Sequence, residues 1–399
     1  MERLFQVQER RLARISLEIV RQMINVINWD DRLISIRGSR GVGKTTLMLQ
    51  YIKMNYGQGT RKALYCTLDS FYFNNNSLLD LTEEFYLHGG RHLFVDEVHK
   101  YPGWHKEIKE IYDAYPDLRV VISGSSMLHL LNSDTDLSRR CLPYYMPGLS
   151  LREYLRFYKG ISLPSVKLDE LMANPGEIAA AVTAVCSPVA VYREYCREGF
   201  YPFYNGNKED YYLRIENVVN FIVEQELPLL AGLQSGYARK IKAMLGVLAT
   251  SKPFALDVSK MSRMLELNRE TVMTYLHLLE KADLLYLLYS DVTSVKRLQK
   301  PDKVYLTNPN LLTALATDDV DEGNMRETFV VSQVSPFFKV EYGKEAGDFI
   351  IDGRWRVEVG GAKKGFSQIA NLPDSYILAD NIEYPSGNRL PLWLMGFLY

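Results

Sequence analysis

The fold is decided by one stretch, Gly38-Ser39-Arg40-Gly41-Val42-Gly43-Lys44-Thr45, which matches the pattern G-x-x-x-x-G-K-[ST] in full. It lies between the apolar run Leu33-Ile34-Ser35-Ile36 and a helical pattern that begins near Lys44. In this context the motif predicts a phosphate-binding P-loop, because its glycines allow a turn that points backbone N–H groups and the positive end of the helix at phosphate oxygens. We expect Lys44 to reach the β- and γ-phosphates and the hydroxyl of Thr45 to bind Mg²⁺.

Length and composition are those of a folded protein with several domains. The chain has 399 residues, of which 47% are hydrophobic and 24% charged. At about 100–200 residues per domain, this length predicts roughly two to four domains. The 47 basic and 48 acidic residues leave a formal net charge of −1, which excludes a global basic field for nonspecific nucleic-acid binding. Any such contact must therefore be local.

The cysteines indicate a protein of a reducing compartment, and the apolar runs predict no membrane-spanning segment. The cysteines show neither C-x-x-C spacing nor His partners at metal-finger distances: Cys66, Cys141, Cys186 and Cys196. The longest charge-free run, 178–192, is shorter than the roughly 18–20 apolar residues that cross a bilayer, so it predicts a buried helix. The amino terminus lacks the apolar core of a signal peptide. We therefore expect a cytoplasmic protein.

Other periodic segments frame the P-loop. Apolar residues close to a 3.6 period predict a helix over 9–27, before the P-loop strand. After the P-loop helix, the pattern predicts a strand over 63–68 and a helix over 78–86.

A second diagnostic segment follows the P-loop by about 50 residues. Arg91–Glu97 is an apolar strand that ends in two acids, where a P-loop fold places a Walker B element. We expect Asp96 to hold Mg²⁺, directly or through water, and Glu97 to orient and deprotonate the attacking water. An isolated Asp-Glu pair would more simply be a strand ending in solvated acids, but the P-loop upstream favours the catalytic interpretation.

Two further groups are candidates to act on the phosphates. The strand-like run 118–126 ends in small polar residues, so the hydroxyls of Ser123 and Ser125 are candidates to contact the γ-phosphate or the water. Arg139 and Arg140 precede another strand-like run, 141–146. A guanidinium there could stabilise the transferring phosphoryl group, a role worth about 10³–10⁵ in rate. A structural arginine is an equal alternative.

Several segments together carry a resemblance: the P-loop Gly38–Thr46, Leu93–Trp104, Ser123–Ser126, Leu137–Arg140 and Pro147–Tyr154. Their order resembles that of bacterial and archaeal AAA-type ATPases that carry a carboxyl-terminal domain of unknown function. The resemblance spans nearly the whole chain. It implies ATP and Mg²⁺ as ligands of residues 38–46, and it favours Arg140 over Arg139 for a nucleotide-facing role. An arginine that acts on a neighbouring copy would require a multimer.

The chain departs from the usual pattern of this family at three places. It has His99 where the family usually has Gln, Arg139 where Gly is usual, and Gly199-Phe200-Tyr201-Pro202 in place of Gly-Gly-Tyr-Pro. None of these departures touches the expected phosphate site.

The middle of the chain is mostly helical. Ser150-Leu151-Arg152-Glu153 is a capping-box pattern, which predicts a helix from about Leu151 at the exit from the ATPase core. Over 238–290 a helix, a short helix, a turn, a longer helix and a β-like run follow in the order of a winged helix. On the longer helix we expect an apolar face directed inward: Val272, Tyr275, Leu276 and Leu279.

The segment 292–303 is the best candidate for a nucleic-acid contact. It carries Lys296, Arg297, Lys300 and Lys303 against the single acid Asp302, and would form a basic wing. A structural or protein-docking role for the winged helix is an equal alternative.

The last part of the chain resembles a nuclease-like fold of the restriction-endonuclease type. Such a fold places an acid at the start of one strand and E-x-K on the next, where they bind Mg²⁺ and activate water. Asp348 begins one apolar run, Glu358 lies in the next, and Glu327 is a possible third acid. Because Gly360 stands where the lysine belongs, we expect a degenerate fold that binds or packs rather than cleaves.

The register of these two strands leaves two alternatives. A two-residue turn at Asp352-Gly353 would pair Asp348 with Val357 and send Glu358 to the opposite face. A three-residue connection would instead pair Asp348 with Glu358. The nearest replacement cations, Lys363 and Lys364, follow the second strand.

These observations predict an α/β protein with four parts. The four predicted parts are an AAA-type P-loop ATPase domain on a parallel sheet at 1–149, a helical linker at 150–235, a winged helix at 236–320 and a degenerate nuclease-like domain at 321–399. The predicted function is Mg²⁺-dependent ATP hydrolysis coupled to a DNA or protein partner. The alternatives are a nucleotide-gated DNA-binding regulator with little turnover and an ATP-dependent nuclease.

Overall fold

The computed structural model describes residues 1–125, 137, 139–229, 233, 236–251, 257–290, 300–317, 319–370 and 372–399. The chain divides into two units, Met1–Pro147 and Gly148–Tyr399. The predicted subdivision of the second unit at residues 235 and 320 stays a prediction.

In its described residues the first unit has five strands, β1 (Leu33–Arg37), β2 (Ala63–Thr67), β3 (His92–Asp96), β4 (Arg119–Ser123) and β5 (Leu142–Tyr145). Its helices are α1 (Glu2–Arg14), α2 (Met23–Val26), α3 (Lys44–Asn55), α4 (Leu78–Leu87) and α5 (Trp104–Ala114). The strands form one parallel sheet with the order β2-β3-β4-β1-β5. The near-continuous burial of β1 to β4 is typical of parallel strands that are covered on both faces.

This topology brings three of the predicted residues to one edge of the sheet. The P-loop follows β1, Asp96 is the last residue of β3, and Ser123 is the last residue of β4, which lies between those two strands. Because parallel strands end at the same edge, the ends of β1, β3 and β4 form a shared crevice, the usual ligand position in such sheets.

The predicted helix over 9–27 is wrong in its bounds. Helix α1 ends at Arg14, and the next helix begins only at Met23. The intervening backbone is bonded by side chains of the P-loop helix α3: Gln50 Nε2 donates to the carbonyls of Ser16 and Ile19, both at 2.9 Å. These side-chain bonds satisfy carbonyl groups that would otherwise favour a continuous helix.

The second unit begins with helices. They are α6 (Leu151–Lys159), α7 (Leu168–Ala173), α8 (Pro175–Thr183), α9 (Pro188–Glu198), α10 (Lys208–Phe221), α11 (Tyr237–Thr250), α12 (Val258–Leu265) and α13 (Arg269–Lys281). The predicted capping box is present, since Glu153 N donates to Ser150 Oγ at 3.1 Å and Ser150 N donates to Glu153 Oε2 at 3.4 Å. The expected inward residues of α13 are all buried: Val272, Tyr275, Leu276 and Leu279.

Strands and two more helices complete the unit. They are β6 (Leu285–Leu288), β7 (Lys303–Leu306), α14 (Pro309–Leu315), α15 (Glu322–Val334), β8 (Val340–Tyr342), β9 (Phe349–Ile351), β10 (Trp355–Gly360), β11 (Ser375–Ala379) and β12 (Arg389–Pro391). Strands β6 and β7 form an antiparallel pair, and the other five form a mixed sheet in the order β12-β11-β10-β9-β8. One apolar core contains residues of α6, α9, β7, α15 and this mixed sheet.

The apolar run 178–192 falls on two helices. Within the described part of the chain no single helix is long and apolar enough to cross a membrane, although α8 and α9 together meet the length and composition criteria despite a bend of 83°. Ala179, Val182 and Tyr192 of these helices are buried in the core of the second unit.

Candidate nucleotide-binding site

The backbone of the P-loop takes conformations that require glycine. Gly38 has a φ of +147° and Gly43, which caps α3, has a φ of +102°. A Cβ atom at Gly38 would also overlap the carbonyl oxygen of Met146. The loop therefore reaches the amino end of α3 with its peptide groups free to turn toward a phosphate, as the motif predicts.

The side chains of the loop divide into buried and accessible groups. Lys44 is buried, and its Nζ donates to the carbonyls of Gly38 at 2.6 Å and Ser39 at 2.9 Å. Val42 and Ser39 are also buried. Thr45 and Arg40 are half-buried, whereas Gly41 and Thr46 are exposed at the surface. The ammonium group of Lys44 thus lies within the loop that the sequence predicts to hold the phosphates.

Asp96 is the centre of a hydrogen-bond network at the sheet edge. Its Oδ2 accepts from Thr45 Oγ1 at 2.6 Å, which joins the P-loop helix to the end of β3. Its Oδ1 accepts from Ser123 Oγ and from the backbone N–H of Glu97 at 3.0 Å. Three residues predicted separately from sequence, Thr45, Asp96 and Ser123, therefore meet at one carboxylate.

Glu97 follows with a left-handed backbone, φ 54° and ψ 39°, an uncommon conformation for this residue type. Burial and the charge of Asp96 raise the pKa of Glu97 above its ordinary value. His99 Nε2 lies 3.5 Å from Glu97 Oε2, and burial, reinforced by the positive charges of Lys100 and Lys44, lowers the pKa of His99 to about 4. A neutral His99 therefore lies beside a carboxylate that takes up a proton more readily than an exposed one.

Two residues at this site were not identified from the sequence. Tyr65, on β2, donates its hydroxyl to Asp96 Oδ2 at 2.7 Å. Arg21 is buried, and its Nη1 donates to the carbonyls of Val42 at 3.2 Å and Pro147 at 2.8 Å, which braces the P-loop. The polar tip of Tyr65, next to Leu64 and Cys66 in β2, was the one available signal for this residue. No local pattern distinguished Arg21.

Two family models match the chain. A model described as an AAA domain matches residues 30–155, which include the P-loop, Asp96, Glu97 and Ser123. The chain contains an AAA domain. The predicted α/β fold, with a nucleotide-binding P-loop on a parallel sheet, is confirmed for this domain. A second model, described as a domain of unknown function (DUF8612), matches residues 189–322 and spans the predicted boundary at 235.

A relative aligns with nearly the whole chain. An uncharacterised protein of Methanocaldococcus jannaschii is 26% identical over 423 aligned positions, which cover 96% of this chain and 89% of the relative. The structure of C. elegans PCH-2 matches with 18% identity and a TM-score of 0.26, over 70% of this chain and 67% of that chain. A TM-score this low supports no argument from structural likeness.

Arg140 does not join the nucleotide site of its own AAA domain. Its Nε and Nη2 donate to the carboxylate of Asp113, at 3.1 and 3.3 Å, near the end of α5. Arg140 also directly precedes β5, which runs parallel to β1, so it lies at the sheet edge opposite the P-loop. The expected catalytic role is therefore not supported within one chain, and a contact with a neighbouring copy stays a proposal.

The candidate second metal site is a cluster of acids and lysines. The connection after β9 has three residues, so the register places Asp348 opposite Glu358, as in the second of the two predicted alternatives. Lys303 Nζ lies 3.0 Å from Glu327 Oε2 and 3.2 Å from Asp348 Oδ1. Among the described residues, no group of three or more His, Cys, Asp or Glu side chains is arranged to hold a metal ion.

Lys364 reaches back into this cluster. Its Nζ lies 2.6 Å from Glu358 Oε1, although it follows β10 in sequence. A Cβ atom at Gly360 would lie 2.7 Å from Cγ and Cδ of Lys364, so the glycine makes room for the lysine. Burial and the nearby charge of Asp348 raise the pKa of Glu358. The cation that is absent at position 360 is thus supplied from four residues later.

The candidate DNA contact is only partly described. Lys296 and Arg297 lie outside the described residues, and Lys300, just before β7, is exposed. The described part of the pattern, α11 to α13 followed by the β6–β7 pair, has the element order that the sequence predicted. Its identity as a winged helix stays a prediction.

Proposed function

We propose that this chain is a Mg²⁺-dependent ATPase in which Glu97 activates the attacking water. The observation that carries the proposal is the 2.6 Å contact between Thr45 Oγ1 and Asp96 Oδ2, because it brings together the two oxygen ligands that P-loop proteins offer to Mg²⁺. Hard oxygen donors from a hydroxyl and a carboxylate suit this cation, which when bound would neutralise charge on the β- and γ-phosphates.

Each residue of the site has a defined task in this proposal. The P-loop N–H groups and Lys44 bind the phosphates, and Asp96 would bind Mg²⁺. Glu97 accepts the proton of the water as it attacks the γ-phosphate, a step helped by the raised pKa of its carboxylate. Ser123 donates its hydroxyl to the carboxylate of Asp96 and keeps the Asp96 carboxylate oriented.

The test is Glu97→Gln, which keeps the size and hydrogen-bonding capacity of the side chain but removes the base. ATP binding should persist, while single-turnover hydrolysis should fall by roughly 10²–10⁴, the usual contribution of a general base. Glu110→Gln, an exposed residue of α5 in the same unit, is the matched control. Unchanged single-turnover hydrolysis in Glu97→Gln would refute the assignment of the base.

Coupling to DNA is the second part of the proposal. The exposed Lys300 and the basic residues before it favour DNA, with affinity supplied by phosphate contacts. Replacing Lys296, Arg297 and Lys300 with alanine should weaken duplex binding and flatten its salt dependence, as measured by fluorescence anisotropy. No affinity of the wild type for duplex DNA at low salt would point to a protein partner instead.

Two alternatives have specific tests. Lys364 beside Glu358 removes the main argument against an ATP-dependent nuclease. The nuclease alternative predicts that the chain cleaves DNA in the presence of Mg²⁺ and ATP, and that Asp348→Ala abolishes this cleavage. Intact DNA after long incubation would contradict it. A nucleotide-gated DNA-binding regulator instead predicts ATP-dependent DNA affinity that survives in Glu97→Gln.

The compartment and assembly complete the proposal. All four cysteines are free thiols, which fits a reducing cytoplasm. Assembly into a multimer would give Arg140 a nucleotide to contact on a neighbouring copy.

A further inference from the structure

The carboxylate of Asp96 is held by donors on four different segments. Besides Thr45, Ser123 and the backbone of Glu97, it accepts the hydroxyl of Tyr65 at 2.7 Å. Tyr65 lies on β2, the edge strand next to β3, and only 2% of its surface is exposed. A buried carboxylate with two donors on each oxygen is fixed in rotation, so the donors decide which way its oxygens face.

Helix α1 in turn holds Tyr65. Arg11 Nη1 donates to the Tyr65 hydroxyl at 2.8 Å, and its guanidinium lies 5.1 Å from the centre of the Tyr65 ring. The side-chain amide of Gln8 bonds the backbone of β2 at Tyr65 and at Ala63. Gln8 Oε1 accepts from Tyr65 N at 2.6 Å, and Gln8 Nε2 donates to Ala63 O at 3.2 Å. One turn of α1 therefore fixes both the strand and the hydroxyl.

The direction of the hydrogen bonds is set by chemistry. A guanidinium only donates, so the Tyr65 oxygen accepts from Arg11 and its single proton points to Asp96.

We propose that Tyr65 is a positioning residue that orients Asp96 for Mg²⁺ and that Arg11 of α1 orients Tyr65. The inference deepens the proposed ATPase function and rests on it. It gives the amino-terminal helix α1 an indirect role in Mg²⁺ binding, although α1 contributes no ligand itself. A change that displaces α1 from β2 would then lower the Mg²⁺-dependent part of ATP affinity.

The test uses a fluorescent ATP analogue and the full chain, with and without Mg²⁺. Tyr65→Phe removes one oxygen and keeps the ring. We expect the Mg²⁺-dependent gain in affinity to fall roughly tenfold, the effect of losing one hydrogen bond to a charged group. Affinity measured without Mg²⁺ should stay within about twofold, because the P-loop contacts do not involve Tyr65.

Tyr56→Phe is the matched control, since Tyr56 also has a part-buried hydroxyl, which lies 3.0 Å from His92 Nδ1 in the same unit. It should leave both affinities unchanged. Arg11→Met keeps Tyr65 in place, and it should give a smaller loss than Tyr65→Phe, again confined to the measurement with Mg²⁺. If Tyr65→Phe fails to fold, the Mg²⁺-dependent affinity of Arg11→Met tests the inference instead.

The outcomes separate this inference from the function on which it rests. Equal losses with and without Mg²⁺ in Tyr65→Phe would show a merely structural role and overturn the inference. An unchanged Mg²⁺ dependence in that variant would do the same, while the ATPase proposal stands. A wild-type protein whose ATP affinity does not respond to Mg²⁺ would overturn both.

Discussion

Lys303 is a position at which a single change should have a large effect on stability. Its side chain is only 10% exposed, and its ammonium group bridges Glu327 and Asp348 in the second unit. Burial alone would lower the pKa of Lys303, but the charges of Glu327 and Asp348 outweigh burial and raise it. Lys303→Met keeps most of the apolar stem and removes the charge, leaving two carboxylates close together without their cation.

The size of the effect follows from the burial of these groups. Removing one partner of a buried ion pair typically costs about 3–5 kcal/mol, because an uncompensated charge remains. An exposed pair is worth about 0–1 kcal/mol. Lys339, 54% exposed and 3.0 Å from Glu341, provides that comparison, so Lys339→Met should cost less than about 1 kcal/mol.

The stability lost in Lys303→Met should increase as the pH rises. A folded pKa of Lys303 above 10.5 means that its stabilisation is complete at neutral pH and is lost only as pH rises through that folded pKa. In Lys303→Met the cost comes from ionised Glu327, whose pKa burial and Asp348 already raise. A carboxyl with a raised folded pKa destabilises as pH rises. The cost should therefore be smaller at pH 5 than at pH 8, because protonation of Glu327 removes the uncompensated charge.

Scanning calorimetry of the full chain at pH 5 and pH 8 measures this directly. The transition of the second unit should shift to lower temperature in Lys303→Met, and more at pH 8 than at pH 5, while Lys339→Met stays near wild type. A shift at pH 8 no larger than that of the control would refute the assignment of Lys303 as the required cation. Equal shifts at both pH values would refute the role of Glu327.

Two other variants test single contacts. Arg140→Ala should leave ATP hydrolysis by the dilute protein within about twofold of wild type, because Arg140 pairs with Asp113 away from the P-loop. A loss of about 10³ in a steady-state ATPase assay would instead place it at the phosphoryl group. Gly360→Ala should displace Lys364 from Glu358 and raise the pKa of Glu358 further, as followed by NMR of labelled glutamate; an unchanged titration would contradict the packing argument.

Local patterns in the sequence were sufficient for much of the fold and the site. The P-loop motif, the acids at the end of β3 and the capping box at Ser150 each depend on residues that are close in sequence, so they could be predicted. The meeting of Thr45, Asp96 and Ser123 also followed, because parallel strands end at one edge of the sheet. These features are decided by short-range geometry and by topology.

Contacts between distant segments could not be predicted in this way. Tyr65 reaches Asp96 across neighbouring strands, and Arg140 meets Asp113 only after the sheet has formed. The helix expected over 9–27 ends at Arg14 because Gln50, far along the chain, bonds the backbone that follows. Lys364 supplies a cation that a fixed E-x-K spacing does not anticipate. In each case a tertiary contact overrides a local pattern.

The central claim is that the P-loop and Asp96 form a working ATPase site. ATP hydrolysis by the purified chain, with Lys44→Ala as the control for contaminating activity, tests it most directly. The proposal predicts Mg²⁺-dependent hydrolysis in the wild type that is absent in Lys44→Ala, and stimulation by duplex DNA if DNA is the partner. Hydrolysis that is equal in the two proteins, or absent from both while ATP still binds, would contradict the claim.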